Sequence, residues 1–463
     1  MGATQMMSGD RLHSTIVRVV VCVFAGAVAL RAQPIRPSAD GKPNVVLILM
    51  DDLGYGDLGS YGAPDARTPN IDRLSREGVR LTDAYANGAV CTPTRAALIT
   101  GRYQQRVGLE RVLTAAPNDH ELGLAATGTS LPALLKSNGY ATALVGKWHL
   151  GWKTEFGPNA HGFDEFYGFL SGAHDYYGAN SAGGGESDLY ENTTPVAPNG
   201  YLTDELTRRA VNFITRHGAD PFFLEVAYNA AHWPFEPPDR PPRNGEAPRQ
   251  LNQSPDDSVP ATRQDYVRML ERADEGVGQI LRVLERRGIA RNTLVIFTND
   301  NGGEWLSRGA PLFHRKGTLW EGGIRVPLIM RWIGHLPAGR TSGQVAITMD
   351  LTATILAATG TTAPESYHPD GMNLLPMLRG DAPVRERQLF WRVSNANRQQ
   401  RAVRSGRWKL LVDGGQLLLF DLRRDLGERH DLAAQQPGRV RELNRMLSEW
   451  TRDVGPPARG RGN

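Results

Sequence analysis

The chain has 463 residues, 40% of them hydrophobic and 22% charged, enough for two to three domains with a real core. Its formal charge of +4 falls to +2 once residues 1–32, with one acid against three arginines, are set aside. A balance so near neutrality excludes a global electrostatic case for nucleic-acid binding.

Arg11 and Arg18 precede an apolar run from Val19 to Leu30 that is too short to span a bilayer comfortably. Residues 1–32 therefore read as a secretory signal peptide, cut after Ala32 or near Ala27-Val28-Ala29, leaving no stable membrane span. Export would end in a periplasm or outside the cell. Cys22 leaves with that segment, so Cys91 becomes the sole cysteine of a chain sent to an oxidising compartment. No intramolecular disulfide is then available, and chemistry explains the retained thiol better than stapling. Asn192 and Asn252 would accept glycans only in a eukaryotic secretory pathway.

After a Pro-rich linker at 33–43, Asn44–Met50 is a continuous apolar run of strand length, as expected of a strand buried on both faces of a parallel sheet. It delivers Asp51 and Asp52, adjacent carboxylates that need a compensating cation or solvent; on its own, Asp-Asp before Gly54 is more often a turn. Three further runs repeat the arrangement. Ala141–Val145 leads into Lys147 and His149, Phe222–Ala227 into His232, and Thr293–Thr298 into Asp300 and Asn301. Open α/β sheets gather their sites at the carboxyl edge, so these residues are expected to converge.

Between the first two runs lies Cys91-Thr92-Pro93-Thr94-Arg95-Ala96-Ala97-Leu98-Ile99-Thr100-Gly101. Pro93 suits a first helical position and Gly101 a stop, which places Cys91 where free N–H groups and the helix dipole favour negative charge. Arg95 falls on the same face, four residues on. A buried, inert thiol is the bland reading of a lone cysteine.

The clearest helix runs from Tyr266 to Arg287, its apolar residues at helical spacing and Gly288 behind it; Asp274 and Glu275 read as a solvated face or a local hydrogen bond. Three long irregular stretches, 104–129, 171–200 and 236–262, are expected to roof the site, although the third suits a mobile surface loop equally well. Short strands and turns follow residue 382, closed by a helix over Arg439–Trp450, and 455–463 reads as a disordered tail.

Cys-x-Pro-x-Arg followed by Thr-Gly closely resembles the maturation signature of the type I, formylglycine-dependent sulfatases, with Thr94 where that family more often carries Ser or Ala. The block Lys316-Gly-Thr-Leu-Trp-Glu-Gly-Gly-Ile-Arg-Val-Pro327 resembles it too, and the likeness extends from Asn44 to the terminal Arg-Trp-Lys-Leu and Leu-Phe-Asp-Leu segments. It is strongest toward the arylsulfatase and N-acetylhexosamine-6-sulfatase branches, N-acetylgalactosamine-6-sulfatase included.

The resemblance implies an α/β alkaline phosphatase-like sandwich, with a large mostly parallel sheet flanked by helices in residues 44–381. A smaller antiparallel-sheet subdomain would occupy 382–454. It implies hydrolysis of sulfate esters of carbohydrates or phenols. The nucleophile would be a formylglycine made from Cys91 by a formylglycine-generating or other maturating enzyme. Asp51, Asp52, Asp300, Asn301 and the modified Cys91 would hold a divalent ion, calcium as the family's usual choice or magnesium as the alternative. Arg95 and Lys147 would hold the formylglycine hydrate and Lys316 the sulfate. One hydrate hydroxyl would attack sulfur with help from Asp300, His232 with Lys316 would protonate the leaving alcohol, and His149 would take the second hydroxyl's proton. His174, Asp175, Trp305 and Arg308 are candidate substrate contacts, whereas His161 reads as structural. Two alternatives stay open: a phosphonate or phosphodiester hydrolase of the same architecture, and a catalytically silent protein that binds sulfated glycans.

Overall fold

The computed structural model describes residues 41–178, 180, 187–217, 220–240, 261–395 and 398–457. The signal segment, most of the linker, Asn252, most of the 236–262 stretch and the end of the tail lie outside the described residues.

In chain order the strands are β1 (Asn44–Met50), β2 (Val79–Leu81), β3 (Ala84–Tyr85), β4 (Ala141–Lys147), β5 (Glu165–Phe169), β6 (Tyr190–Glu191), β7 (Thr194–Pro195) and β8 (Phe222–Ala227). After these come β9 (Thr293–Asn299), β10 (Leu328–Arg331), β11 (Arg340–Ser342), β12 (Ala346–Ile347), β13 (Gln388–Asn395), β14 (Arg398–Ser405), β15 (Trp408–Asp413) and β16 (Gln416–Asp421). Ten form one sheet in the order β11-β2-β10-β9-β1-β8-β4-β5-β6-β7. Its centre is parallel: β1 pairs with β8 and β9, and β4 with β8 and β5, while β10 runs antiparallel to β9 and β2.

The four long apolar runs are the four central strands, and every residue of β1, β8 and β9 is buried. Alternation sends their side chains to opposite faces. Val46, Ile48, Leu224, Val226 and Phe297 join a core with the helices Leu202–His217 and Arg263–Arg286. Val45, Leu47, Phe223, Leu294 and Ile296 join the opposite core with the helices Cys91–Thr100, Leu131–Ser137 and Met349–Thr359. A sheet covered by helices on both faces is the expected sandwich.

The helix expected over Tyr266–Arg287 starts three residues earlier, because Thr262 and Asp265 form a reciprocal capping box that satisfies two N–H groups. Asp274 on it is buried, not solvated: it accepts the N–H groups of Asn70 and Ile71 at 3.1 and 2.8 Å, whereas Glu275 is exposed. The last helix spans Pro437–Asp453, longer at both ends than expected.

β13 to β16 form a separate antiparallel sheet in sequential order. Its core includes Trp391, Ala402, Leu410 and Leu419, packed with Leu443 and Leu447 of the last helix and also with Ala97, Leu319 and Ile324. Among the described residues no helix is long and apolar enough to cross a membrane.

Candidate active site

Register brings the strand ends together. Met50 is opposite Asn299, Leu49 opposite Ala227, and Gly146 opposite Ala227, so Asp51, Lys147 and Asp300 leave the sheet at one level. Two crossed backbone bonds fix this edge: Asp300 N–H donates to Met50 O and Asp51 N–H to Ala230 O, both at 3.2 Å. β4 approaches β8 so closely at Gly146 that a Cβ there would meet Ala227 O at 1.9 Å. Just past the edge Asp52 and His149 adopt φ of 59° and 62°, left-handed conformations that only surrounding structure can impose on such residues.

The Asp52 turn is held from below. Tyr266 Oη donates to Asp57 Oδ2 at 2.6 Å, Gly54 N–H donates to the same oxygen at 2.8 Å, and Arg263 lies 2.7 Å from Asp57 Oδ1. Asn299 brackets Leu53, accepting its N–H and donating to its carbonyl. Sequence reading missed Asp57, Arg263, Tyr266 and Asn299. A carboxylate six residues after Asp51 in a Gly-rich turn was the one local hint; the helix partners carried none.

Cys91 is the first residue of its helix and Pro93 the third, not the first; the placement costs nothing because the first four N–H groups of a helix have no internal partner. Gly101 ends the helix at φ 65°, donating to Ala97 O. The buried Cys91 Sγ lies 3.5 Å from Asp51 Oδ1. Burial pushes the thiol well above its ordinary pKa and the nearby Asp300 carboxylate adds to this, so the unmodified side chain is protonated and a poor nucleophile.

Arg95, on the same helix, is buried. It donates from Nε to Asp300 Oδ2 at 3.0 Å and from Nη1 to Lys147 O at 2.8 Å. A guanidinium fork thus ties the β9 end to the β4 end. Lys147 Nζ lies 2.5 Å from Asp51 Oδ2 and Lys316 Nζ 2.7 Å from Asp52 Oδ2, while His232 Nε2 is 3.5 Å from that same Asp52 oxygen. Burial would raise the Asp52 pKa, but Lys316 and His232 hold the carboxyl well below the usual range. Burial and the Asp51 charge push Asp300 up to about 6.

The two histidines have assignable tautomers. His149 Nε2 faces Leu113 O at 2.8 Å and must carry the proton, leaving the buried Nδ1 as a lone pair without a partner. His232 Nδ1 faces Trp233 O at 2.5 Å, which leaves Nε2 directed at the carboxylate side. Burial and the Lys147 charge keep His149 neutral; burial and Lys316 bring His232 down to about 3. The 104–129 stretch does roof this corner, through Leu113 O on His149 and through Leu113 N–H on Thr92 Oγ1.

Asp51, Asp52, Cys91 and His232 each offer a ligand atom within 4.8 Å of one another. Asp300 Oδ1 and Asn301 Oδ1 are buried oxygens without a hydrogen-bond partner. Such orphaned oxygens beside paired carboxylates are the donor chemistry of a hard divalent cation. His232 Nε2 lies beside this group without belonging to the expected ligand set.

The four candidate substrate residues separate. His174 is buried against Phe169, its Nδ1 2.7 Å from Asp175 O; Asp175 is buried, and desolvation pushes its carboxyl up to about 6. Their loop reaches the site at Gly172, where a Cβ would sit 2.6 Å from His149 Cε1. Trp305 is exposed, its ring edge-on to Phe235. Arg308 supports the Asp57 turn with its backbone N–H and directs its guanidinium to Asp65, 3.7 Å away. His161 is buried, with Nε2 3.0 Å from Leu124 O, consistent with a structural role.

Two family descriptions match: Sulfatase over residues 43–361, and N-sulphoglucosamine sulphohydrolase, C-terminal, over 309–453. N-acetylgalactosamine-6-sulfatase of Mus musculus is 36% identical over 391 residues, covering 77% of this chain and 70% of its own. Arylsulfatase A of Bos taurus is 33% identical over 449 residues, covering 85% and 84%. The crystal structure of Ps i-CgsB in complex with k-i-k-neocarrahexaose superposes with a TM-score of 0.81 at 33% identity, covering 90% of this chain and 94% of that one.

Proposed function

Since the chain belongs to the sulfatase family and hydrolyses sulfate esters, we propose that its reaction runs through formylglycine at Cys91 and a bound calcium ion, on sulfated carbohydrates. The observation that carries this reading is the convergence of Cys91, three carboxylates, two lysines and two oppositely oriented histidines on one strand edge.

Asp51, Asp52, Asp300 and Asn301 hold the cation, with magnesium as the alternative. When bound, it supplies positive charge to sulfate oxygens, and the aldehyde made from Cys91 supplies, as its hydrate, a nucleophilic oxygen that a protonated thiol does not offer. Lys147 and Arg95 hold the Cys91 side chain against the strand edge, and Lys316 holds a sulfate oxygen. His149 Nδ1 is a neutral lone pair and takes a proton from the nucleophile's side. His232 Nε2 faces the leaving-group side. Lys316 keeps it unprotonated while the site is free, and an anionic sulfate offsets that charge, drawing onto Nε2 the proton that the departing alkoxide needs.

The charged-then-apolar N-terminus supports export to a periplasm or the extracellular space. The carbohydrate reading rests on relatives named N-acetylgalactosamine-6-sulfatase and on the similar Ps i-CgsB structure in complex with k-i-k-neocarrahexaose. The test is hydrolysis of one fluorogenic phenol presented as its sulfate and as its phosphodiester. The protein is co-produced with a formylglycine-generating enzyme, supplied with calcium and run beside Cys91→Ala. Faster Cys91-dependent cleavage of the sulfate is expected; faster cleavage of the phosphodiester would make it a phosphodiesterase, and sulfated-glycan binding with an unmodified thiol would make it a binding protein.

A further inference from the structure

Lys316 neither ends nor directly follows a strand of the large sheet, and it does not lie on the Cys91 helix. It sits on a loop between Phe313 and the short helix Glu321–Ile324, and its geometry depends on what holds that loop. On one side the catalytic fold does so: Lys316 N–H donates to Gly303 O at 3.0 Å, and Gly317 N–H to Ala89 O at 2.7 Å, two residues before Cys91.

On the other side the partners belong to the antiparallel sheet. Arg398 Nη1 donates to Gly317 O at 3.2 Å, and Leu319 N–H donates to Gln400 Oε1 at 2.8 Å. Gln400 is buried, and its amide is oriented by donation from Nε2 to Asp413 Oδ2 at 2.6 Å. That bond fixes which end of the amide is the acceptor. A chain of bonds centred on buried Gln400 therefore runs from Asp413 on β15 through Gln400 on β14 to the backbone of Leu319, three residues beyond Lys316, and the Leu319 side chain is anchored in the core of the same sheet.

We propose that Gln400 is a positioning residue for Lys316, so that the antiparallel sheet sets the position of the sulfate-binding ammonium. This rests on the reading of Lys316 as the sulfate-binding group. Loss of the acceptor leaves a buried N–H unpaired, and the loop relieves it by shifting. A displacement of about 1 Å at a group that holds the reacting sulfate is worth about 100-fold in rate. The structural alternative, in which Gln400 only glues two sheets together, would lower stability without acting through Lys316.

The experiment is a double-mutant cycle on the fluorogenic aryl sulfate with Gln400→Met, Lys316→Met and the combined variant, all fully matured and checked for melting temperature. Gln400→Met alone is expected to lower kcat/KM about 10- to 100-fold. In the Lys316→Met background it is expected to add less than about 3-fold, because the group it positions is gone. Losses that multiply, or an active Gln400→Met, overturn the proposal. Wild-type rates in Lys316→Met overturn it at its root, by removing Lys316 from the reaction. Should Gln400→Met fail to fold, Arg398→Met, which deletes the donor to Gly317 O, takes its place in the cycle and is held to the same non-additivity.

Discussion

Lys147 and Lys316 present the same ammonium group to neighbouring carboxylates from regions of different build. Lys147 ends a central strand and its side chain is fully buried, while Lys316 rides a loop and keeps 14% of its side-chain surface. The first is placed by the hydrogen-bonded ladder of β4 on β5 and β8. The second is placed by side chains of a different sheet. A strand edge positions groups through backbone bonds that any core sequence preserves, whereas a loop depends on particular side chains.

The largest effect tests the element both lysines serve. Cys91→Ala is expected to lower kcat on an aryl sulfate by about 10⁶-fold, the scale of losing a nucleophile, with a melting temperature within a few degrees of wild type. An active variant would leave both lysines without the role assigned to them.

Next, the loop half is expected to fail from a distance. Lys409 is buried between Glu321 Oε1 and Glu428 Oε1, each at 2.9 Å. Lys409→Met leaves the buried Glu428 without that ammonium, while Glu321 keeps Arg325 Nη1 at 2.8 Å, at a cost of about 3 kcal/mol, read as a lower urea midpoint. Turnover should fall as well, because Glu321 closes the Lys316 loop. Full turnover at reduced stability would break the comparison.

The lysines themselves are then compared in chelator-treated protein. Lys147→Met strands the buried Asp51 carboxylate and should cost about 3 kcal/mol. Lys316→Met leaves the buried Asp52 with the Asn301 amide still donating to its other oxygen at 2.7 Å and should cost about half as much, and equal losses would show that strand and loop hold their charges alike.

The remaining effect is pH-dependent and lies in the strand half. Glu225 of β8 is buried, with Oε2 unpartnered, and desolvation pushes its pKa from 4.5 up to about 7 although Arg95 pulls it down. Because the folded-state value is raised, the stabilising protonated form is fully present below pH 4.5 and its contribution is lost as pH rises through 7. Glu225→Gln is therefore expected to melt with wild type at pH 4 and to gain up to about 3 kcal/mol over it at pH 8. A pH-independent difference would contradict this.

How much was legible in the sequence follows from the same contrast. Asn44–Met50 and Thr293–Asn299 announced themselves because a strand buried on both faces is written as an unbroken apolar run, and the polar residues after it can only lie at its carboxyl end. Asp57, Tyr266 and Asn299 were invisible as supports because each acts across 209 to 246 residues or through a single turn. Asp274, at helical spacing among charges, read as solvated or locally hydrogen-bonded, and only the packing of another helix's start against it decided otherwise.

The sequence by itself determined the buried parallel strands, the cysteine at a helix start and the set of groups that meet there, because burial periodicity and local motifs are contiguous along the chain; the sandwich followed from the family resemblance. Tertiary structure alone decided that Arg95 clamps Asp300 and Lys147 O, which ring nitrogen each histidine offers, and which sheet holds Lys316. Each of those depends on a hydrogen-bond partner far away in the chain, and no spacing rule encodes a partner that folding must first deliver.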